Sequence, residues 1–265
     1  MLQLLRQLTK LLVLLERHNS NLNRDIQNMI SQKLSIELGV AHAMGSSKSS
    51  RGRRAIDQLD PETKQQILER DDFVCQCCGF RSLKYQDLVP RNSNLHDTRL
   101  DNLATTCVFC QQCFYLDRVT QMRSGFMVWL PEIEQADLHH IARAIYVARI
   151  SQGPMADMAR SALDLLMTRR ESAKERLGTD DPFVLANVLN DYLGPKHYGQ
   201  RSKKLDGVRL FPLDRRIIKE ADLEFNQFPQ ILAYWRSKDG PFGGKIPTKW
   251  LDIYKDIMWK KGCLI

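Results

Sequence analysis

The sequence has no apolar run of the roughly 20 residues a helix needs to cross a bilayer. That excludes a membrane-spanning helix. Its leucine-rich N-terminal segment is interrupted by Arg6, Lys10, Glu16 and Arg17 and has no small-residue cleavage site, so it does not read as a signal peptide. There is no internal repeat, which excludes a solenoid or propeller. A phosphate-binding loop is excluded as well. In Gly240-Pro241-Phe242-Gly243-Gly244-Lys245 only three residues separate Gly240 from Gly244, and Ile246 follows where a Ser or Thr should hold Mg²⁺. With neither leader nor span, the expected compartment is the cytoplasm, where thiols stay reduced and disulfides are rare.

What is present is a chain of 265 residues with 43% hydrophobic content, enough for a real core in one large or two small domains. Lys and Arg number 39 against 31 Asp and Glu, a net charge of +8. This balance admits nucleic acid, a membrane surface or an acidic protein as partner and selects none of them.

Cysteines organise the middle of the chain. Cys75-Gln76-Cys77-Cys78-Gly79 and Cys107-Val108-Phe109-Cys110 are two Cys-x2-Cys turns across a 28-residue spacer, residues 79–106. Each turn points two thiolates at one place, and Zn²⁺ takes four soft ligands in a tetrahedron. Cys75, Cys78, Cys107 and Cys110 would therefore close a shell around one structural Zn²⁺, with no position left for water. Cys77 and Cys113 are spare, and either could replace a neighbour. Cys263 reads as an unrelated thiol. The alternative is a group of buried thiols acting as small hydrophobes.

In chain order, residues 1–43 read as a helical extension, with Leu4, Leu8, Leu11 and Leu15 at coiled-coil spacing and a second helix over Leu22 to Leu38. It packs on the body or on a partner. A further reading is that residues 1–43 are an upstream extension from a misplaced start, with Met44 the true one. Residues 44–58 form a flexible basic linker. Asp60 caps a short helix with Pro61 at its first position, ending near Asp72. Leu83 to Pro90 reads as a strand, residues 91–98 as a polar loop in which His96 is solvated, and Cys110 to Arg118 as a helix. Gly125 to Pro131 is a strand, and Glu134–Ile150, Met155–Leu177 and Asp181–Tyr192 are helices. Adjacent His139 and His140 point two ways, so they are not expected to share a metal. Residues 194–213 read as irregular, Asp214 to Glu220 as helix, Phe225 to Trp235 as partly helical and Lys249 to Lys260 as a final helix carrying Trp250, Tyr254 and Trp259. The fold class is α+β, mainly helical: a zinc-bound ββα core over 59–131, then a helical, partner-binding region over 132–265.

The stretch 75–113 resembles the zinc-bearing HNH endonuclease domain: Cys75/Cys78, a strand ending at Pro90, Asn102-Leu103, then Cys107/Cys110. The resemblance also implies what is missing. The family's strand ligand falls on Gln86, its general-base His on Asp87 and its last metal-binding His on Gln111. A neutral amide is a poor Mg²⁺ ligand, and water activation needs a base. The implied state is a degenerate HNH fold without catalysis. Arg70 to Phe80, Tyr85-Gln86-Asp87, Cys107 to Phe114 and Leu130-Pro131-Glu132 resemble the IcmJ (DotN) family of the Dot/Icm type IVB secretion system. That resemblance implies an adaptor that binds a DotL-like coupling ATPase and other coupling-complex subunits and helps recruit effector substrates for translocation. It would sit in the cytoplasm, peripheral to the inner membrane through that complex, with no nucleic acid partner. Two alternatives stay open: an active HNH-family endonuclease, favoured by the basic charge, and a DNA-binding zinc domain without catalysis.

Overall fold

The computed structural model describes residues 33–40, 55–250, 252, 253 and 255. The leucine stripe, residues 44–54 of the expected linker, Tyr254, Trp259 and Cys263 lie outside the described residues, and the linker's last four residues are a 3-10 turn rather than flexible chain. After a 3-10 turn at Ala55–Gln58, helix α1 spans Pro61–Arg70. Its start follows the expected chemistry: Pro61 opens the first turn and the Thr63 N–H donates to Asp60 Oδ1 at 2.7 Å. Ile67 and Leu68 form its buried side.

The chain then passes through the first cysteine turn into a hairpin. Strand β1 (Gln86–Pro90) pairs antiparallel with β2 (Leu103–Cys107), from Gln86 opposite Cys107 to Pro90 opposite Leu103. Proline ends β1 as expected, though the strand begins at Gln86 rather than Leu83. Helix α2 (Val108–Phe114) follows directly, then α3 (Leu116–Gln121). One helix over Cys110–Arg118 was the expectation. It is broken because Tyr115, at φ −135°, leaves the helical region.

Strand β3 (Gly125–Trp129) and helices α4 (Gln135–Arg149), α5 (Pro154–Leu177) and α6 (Pro182–Asp191) lie where expected. The next stretch does not. Residues 194–213 hold two short helices, α7 (Pro195–Gly199) and α8 (Arg201–Lys204), and strand β4 (Val208–Pro212), which pairs antiparallel with β3. Every β4 residue is buried, so the strand carries none of the apolar–polar alternation that would reveal it. Gly207, at φ +80°, admits the turn, and a Cβ there would stand 2.6 Å from the Trp129 ring. The expected helix over Asp214–Glu220 is instead strand β5 (Ile217–Glu220), which turns at Ala221 (φ 52°) and pairs with β6 (Leu223–Asn226). β-Branched Ile217 and Ile218 favour the strand. Helix α9 is accordingly shorter at its start, Phe228–Arg236. A 3-10 turn at Pro247–Lys249 precedes Trp250, and residues 252, 253 and 255 are helical.

A helix over Leu22–Leu38 does not extend into the described residues. Residues 33–40 form neither helix nor strand. They cross the body as a strap. The Leu34 N–H donates to the Gln76 carbonyl, the Gly39 N–H to Cys113 O and the Leu116 N–H to Gly39 O, at 2.9 to 3.0 Å. Arg201 grips the strap's end through Leu38 O (2.8 Å) and Glu37.

One apolar cluster runs from the knuckle cysteines and Phe109 through α4 to Phe211, Trp235 and Trp250. Residues 59–131 and the described residues from 132 onward thus share a core.

Candidate metal centre

The two turns and the hairpin bring the thiols together. Gly79, at φ +79°, bends the chain after Cys78 and its N–H donates to Cys75 O at 2.8 Å, closing the first knuckle. Hairpin register places Cys107 opposite Gln86 and at the start of α2, where the Cys110 N–H points at Cys107 Sγ at 3.5 Å. The Sγ atoms of buried Cys75, Cys78, Cys107 and Cys110 all lie within 4.8 Å of one another, and Cys78 and Cys107 are 3.7 Å apart. A tetrahedron with Zn–S bonds of about 2.3 Å has edges of about 3.8 Å. The donors are soft and the shell is closed, so these residues fit a structural zinc ion. Desolvation opposes ionisation at Cys78, but neighbouring thiols and the charge of Arg143 outweigh it and hold its pKa well below the ordinary value. An ion would draw all four to thiolates.

The spare cysteines stand outside this group. Cys77 and Cys113 are buried, and the structure pushes both thiols above their ordinary pKa. For Cys113 burial is the main cause.

Sequence reasoning missed the polar residues around the thiols. Arg143 Nη2 donates to Cys107 Sγ at 2.8 Å and to Cys78 Sγ at 3.4 Å. His139 Nδ1 lies 3.2 Å from Cys110 Sγ, and His140 Nε2 lies 2.9 Å from Cys78 O. Adjacent helix positions were expected to point two ways, yet both histidines contact the knuckles. Burial, reinforced by the charge of Arg143, lowers the His139 pKa to about 3 and keeps the ring neutral. The available signal was the spacing of Gln135, His139 and Arg143 along one helix face.

The remaining HNH-like positions are occupied by internal contacts. Gln86 is buried, and its Nε2 donates to Phe73 O (2.8 Å) and Phe80 O (3.1 Å), stitching the first knuckle shut. Asn102 Nδ2 donates to Asn92 Oδ1 and Asp97 O, shaping the loop that carries exposed His96. Asp87 Oδ1 accepts from Lys64 Nζ at 3.0 Å and from the Leu88 N–H at 2.9 Å, while Gln111 Nε2 donates to Oδ2. Desolvation works to raise the Asp87 pKa, but the Lys64 charge and these donors prevail and lower it. Lys64 was not anticipated as a partner. It comes from α1, one turn beyond its cap.

No protein-family model matches the chain. A curated protein does. Over 200 residues, covering 74% of this chain and 92% of the other, the two are 28% identical, and that protein is the type 4 apparatus protein DotN of Legionella pneumophila (strain Philadelphia 1). The chain is similar to DotN. The resemblance first read from the cysteine stretch and its flanks thus extends across most of DotN's length.

Proposed function

We propose that this chain is a non-catalytic, zinc-stabilised adaptor of a type IVB secretion system coupling complex. It binds a DotL-like coupling ATPase and neighbouring subunits, helps recruit effector substrates, and works in the cytoplasm at the inner membrane through that complex. The similarity to DotN carries this reading. Among the described residues no helix is long and apolar enough to cross a membrane, in keeping with attachment through partners. A small apolar hollow between α4 and α5, lined by Ile141, Ile145, Met155, Met158 and Trp250, lies in the helical region to which this reading assigns the partner surface.

Two observations support the absence of catalysis in a degenerate HNH-like ββα unit. The group of metal-binding side chains found among the described residues is the closed tetrathiolate. Asp87, the carboxylate left at the HNH-like positions, is engaged by an ammonium and an amide. A hydrolytic site needs an open metal position and a free base.

Affinity purification from the native host with mass spectrometry tests the adaptor reading, and recovery of the coupling ATPase is the expected result. Plasmid nicking with Mg²⁺, Mn²⁺ or Ni²⁺ tests the other half. Cleavage that disappears in Asp87→Ala would establish the endonuclease instead. DNA affinity with a steep salt dependence would favour the nucleic-acid-binding reading.

A further inference from the structure

Four thiolates on one divalent ion leave the centre with a surplus of negative charge, here buried. Such charge is costly to desolvate unless opposite charge and donors accompany it. Helix α4 brings both. Arg143 is fully buried, spans one sulfur from each knuckle, and lies over the Phe80 ring at 4.0 Å from its centroid. A guanidinium only donates hydrogen bonds, so both sulfur contacts are donations to sulfur.

The histidine tautomers follow from the same network. The Leu210 N–H donates to Gln135 Oε1 at 2.9 Å, and Gln135 Nε2 donates to Leu210 O at 2.7 Å, which fixes the amide orientation. Gln135 Nε2 then meets His139 Nε2 at 2.8 Å. That ring nitrogen must accept, so the proton sits on Nδ1 and points to Cys110 Sγ at 3.2 Å. Arg143 Nη1 lies 3.3 Å from His140 Nδ1, which leaves His140 Nε2 to donate to Cys78 O.

We propose that this face of α4 is the outer hydrogen-bonding shell of the metal centre, with Arg143 as its charge-compensating positioning residue and His139, set by Gln135, orienting Cys110. The ion and α4 thereby order each other. The inference rests on the metal-centre part of the functional reading and not on any secretion partner.

The test uses the full chain. Zinc content is measured first. Then the rate of zinc transfer to a chelator is recorded, along with the sulfur-to-metal charge-transfer band of the Co²⁺-substituted protein. Arg143→Met is expected to weaken zinc affinity about 10- to 100-fold, the usual range for loss of an outer-shell partner, seen as faster transfer to the chelator, and to shift the band. Arg143→Lys keeps a charge and a donor and should fall between. Should Arg143→Met fail to fold, the His139 pair carries the test. His139→Leu should shift the band, and His139→Asn, whose amide N–H stands near the Nδ1 position, should restore it. Variants that lose thermal stability with band and release rate unmoved would reduce these residues to packing and overturn the proposal. A full chain that contains no metal would overturn the metal centre itself.

Discussion

Replacing Trp235 with alanine should unfasten α9 from the knuckles. The indole is 1% exposed and meets three rings nearly edge-on: Phe80 at 5.7 Å and 77°, Phe109 at 5.6 Å and 90°, and Phe228 at 5.8 Å and 85°. Phe80 follows the first knuckle and Phe109 lies inside the second, so the indole packs on both. A tryptophan buries about 150–250 Å², which at about 25 cal/mol per Å² corresponds to about 4–6 kcal/mol. Tryptophan-to-alanine changes in cores cost about 3–5 kcal/mol. We expect about 4 kcal/mol for Trp235→Ala, a large part of the roughly 5–15 kcal/mol that a domain has in total. Trp235 Nε1 makes no hydrogen bond, so Trp235→Phe loses only packing and should cost about 1–2 kcal/mol. Urea denaturation of the zinc-loaded protein measures both, with zinc release recorded in parallel. A loss below about 1 kcal/mol in Trp235→Ala at unchanged urea dependence would refute the packing of α9 on the knuckles.

Cys78→Ser or Cys107→Ser should yield insoluble protein, because a structural zinc contributes about 10–16 kcal/mol against that same margin. Well-folded, metal-free variants would contradict this. Leu38→Ala should cost about 2–3 kcal/mol in chemical denaturation, the low end for a buried leucine because the strap can shift into the gap. A chain starting at Met44, which lacks the strap altogether, should melt at lower temperature than the full chain, and equal melting points would show the strap to be dispensable. The folded pKa of Asp87 is depressed, so its stabilising contribution is complete above the ordinary carboxylate pKa of about 4 and fades as pH falls through and below it. The gap in melting temperature between wild type and Asp87→Asn should therefore narrow as pH is lowered from about 5 to about 3. A gap independent of pH would show that the ion pair with Lys64 contributes nothing.

The elements with local signatures were legible in the sequence. Asp60-Pro61 marked α1, the Cys-x2-Cys spacing brought four thiols to one point, and periodic apolar positions marked α4 and α5. Failures came where tertiary contacts outweigh local pattern. Strand β4 is buried throughout and so shows no alternation. The strap was read as a continuation of an N-terminal helix, although Leu34, Ile36, Leu38 and Val40 alternate with Lys33, Ser35, Glu37 and Gly39 in the period of an extended chain. Cysteine spacing predicts ligands, but the outer shell comes from residues 29 to 65 positions away. Arg143 and the histidines read as ordinary helix-face residues until α4 is docked.

Lys64 bears most directly on what the proposed HNH-like unit can do. A divalent ion bound to Asp87 would stand about 4 Å from an ammonium that already neutralises that carboxylate. The repulsion between a double and a single charge at that separation is about 2 kcal/mol in water and about 8 kcal/mol at an effective dielectric of 20. The Asp87 side chain keeps 38% of its exposure, so screening places the value toward the lower figure. Even that must be added to the loss of the Gln111 and Leu88 hydrogen bonds, and the amides of Gln86 and Gln111 offer little in return. Lys64 is held in place by a capped helix whose Ile67 and Leu68 are buried. On this argument the ammonium takes the part of the cation, and the two polar centres of the unit are balanced in different ways. Arg143, with the zinc ion the four thiols fit, would close the first, and Lys64 closes the second.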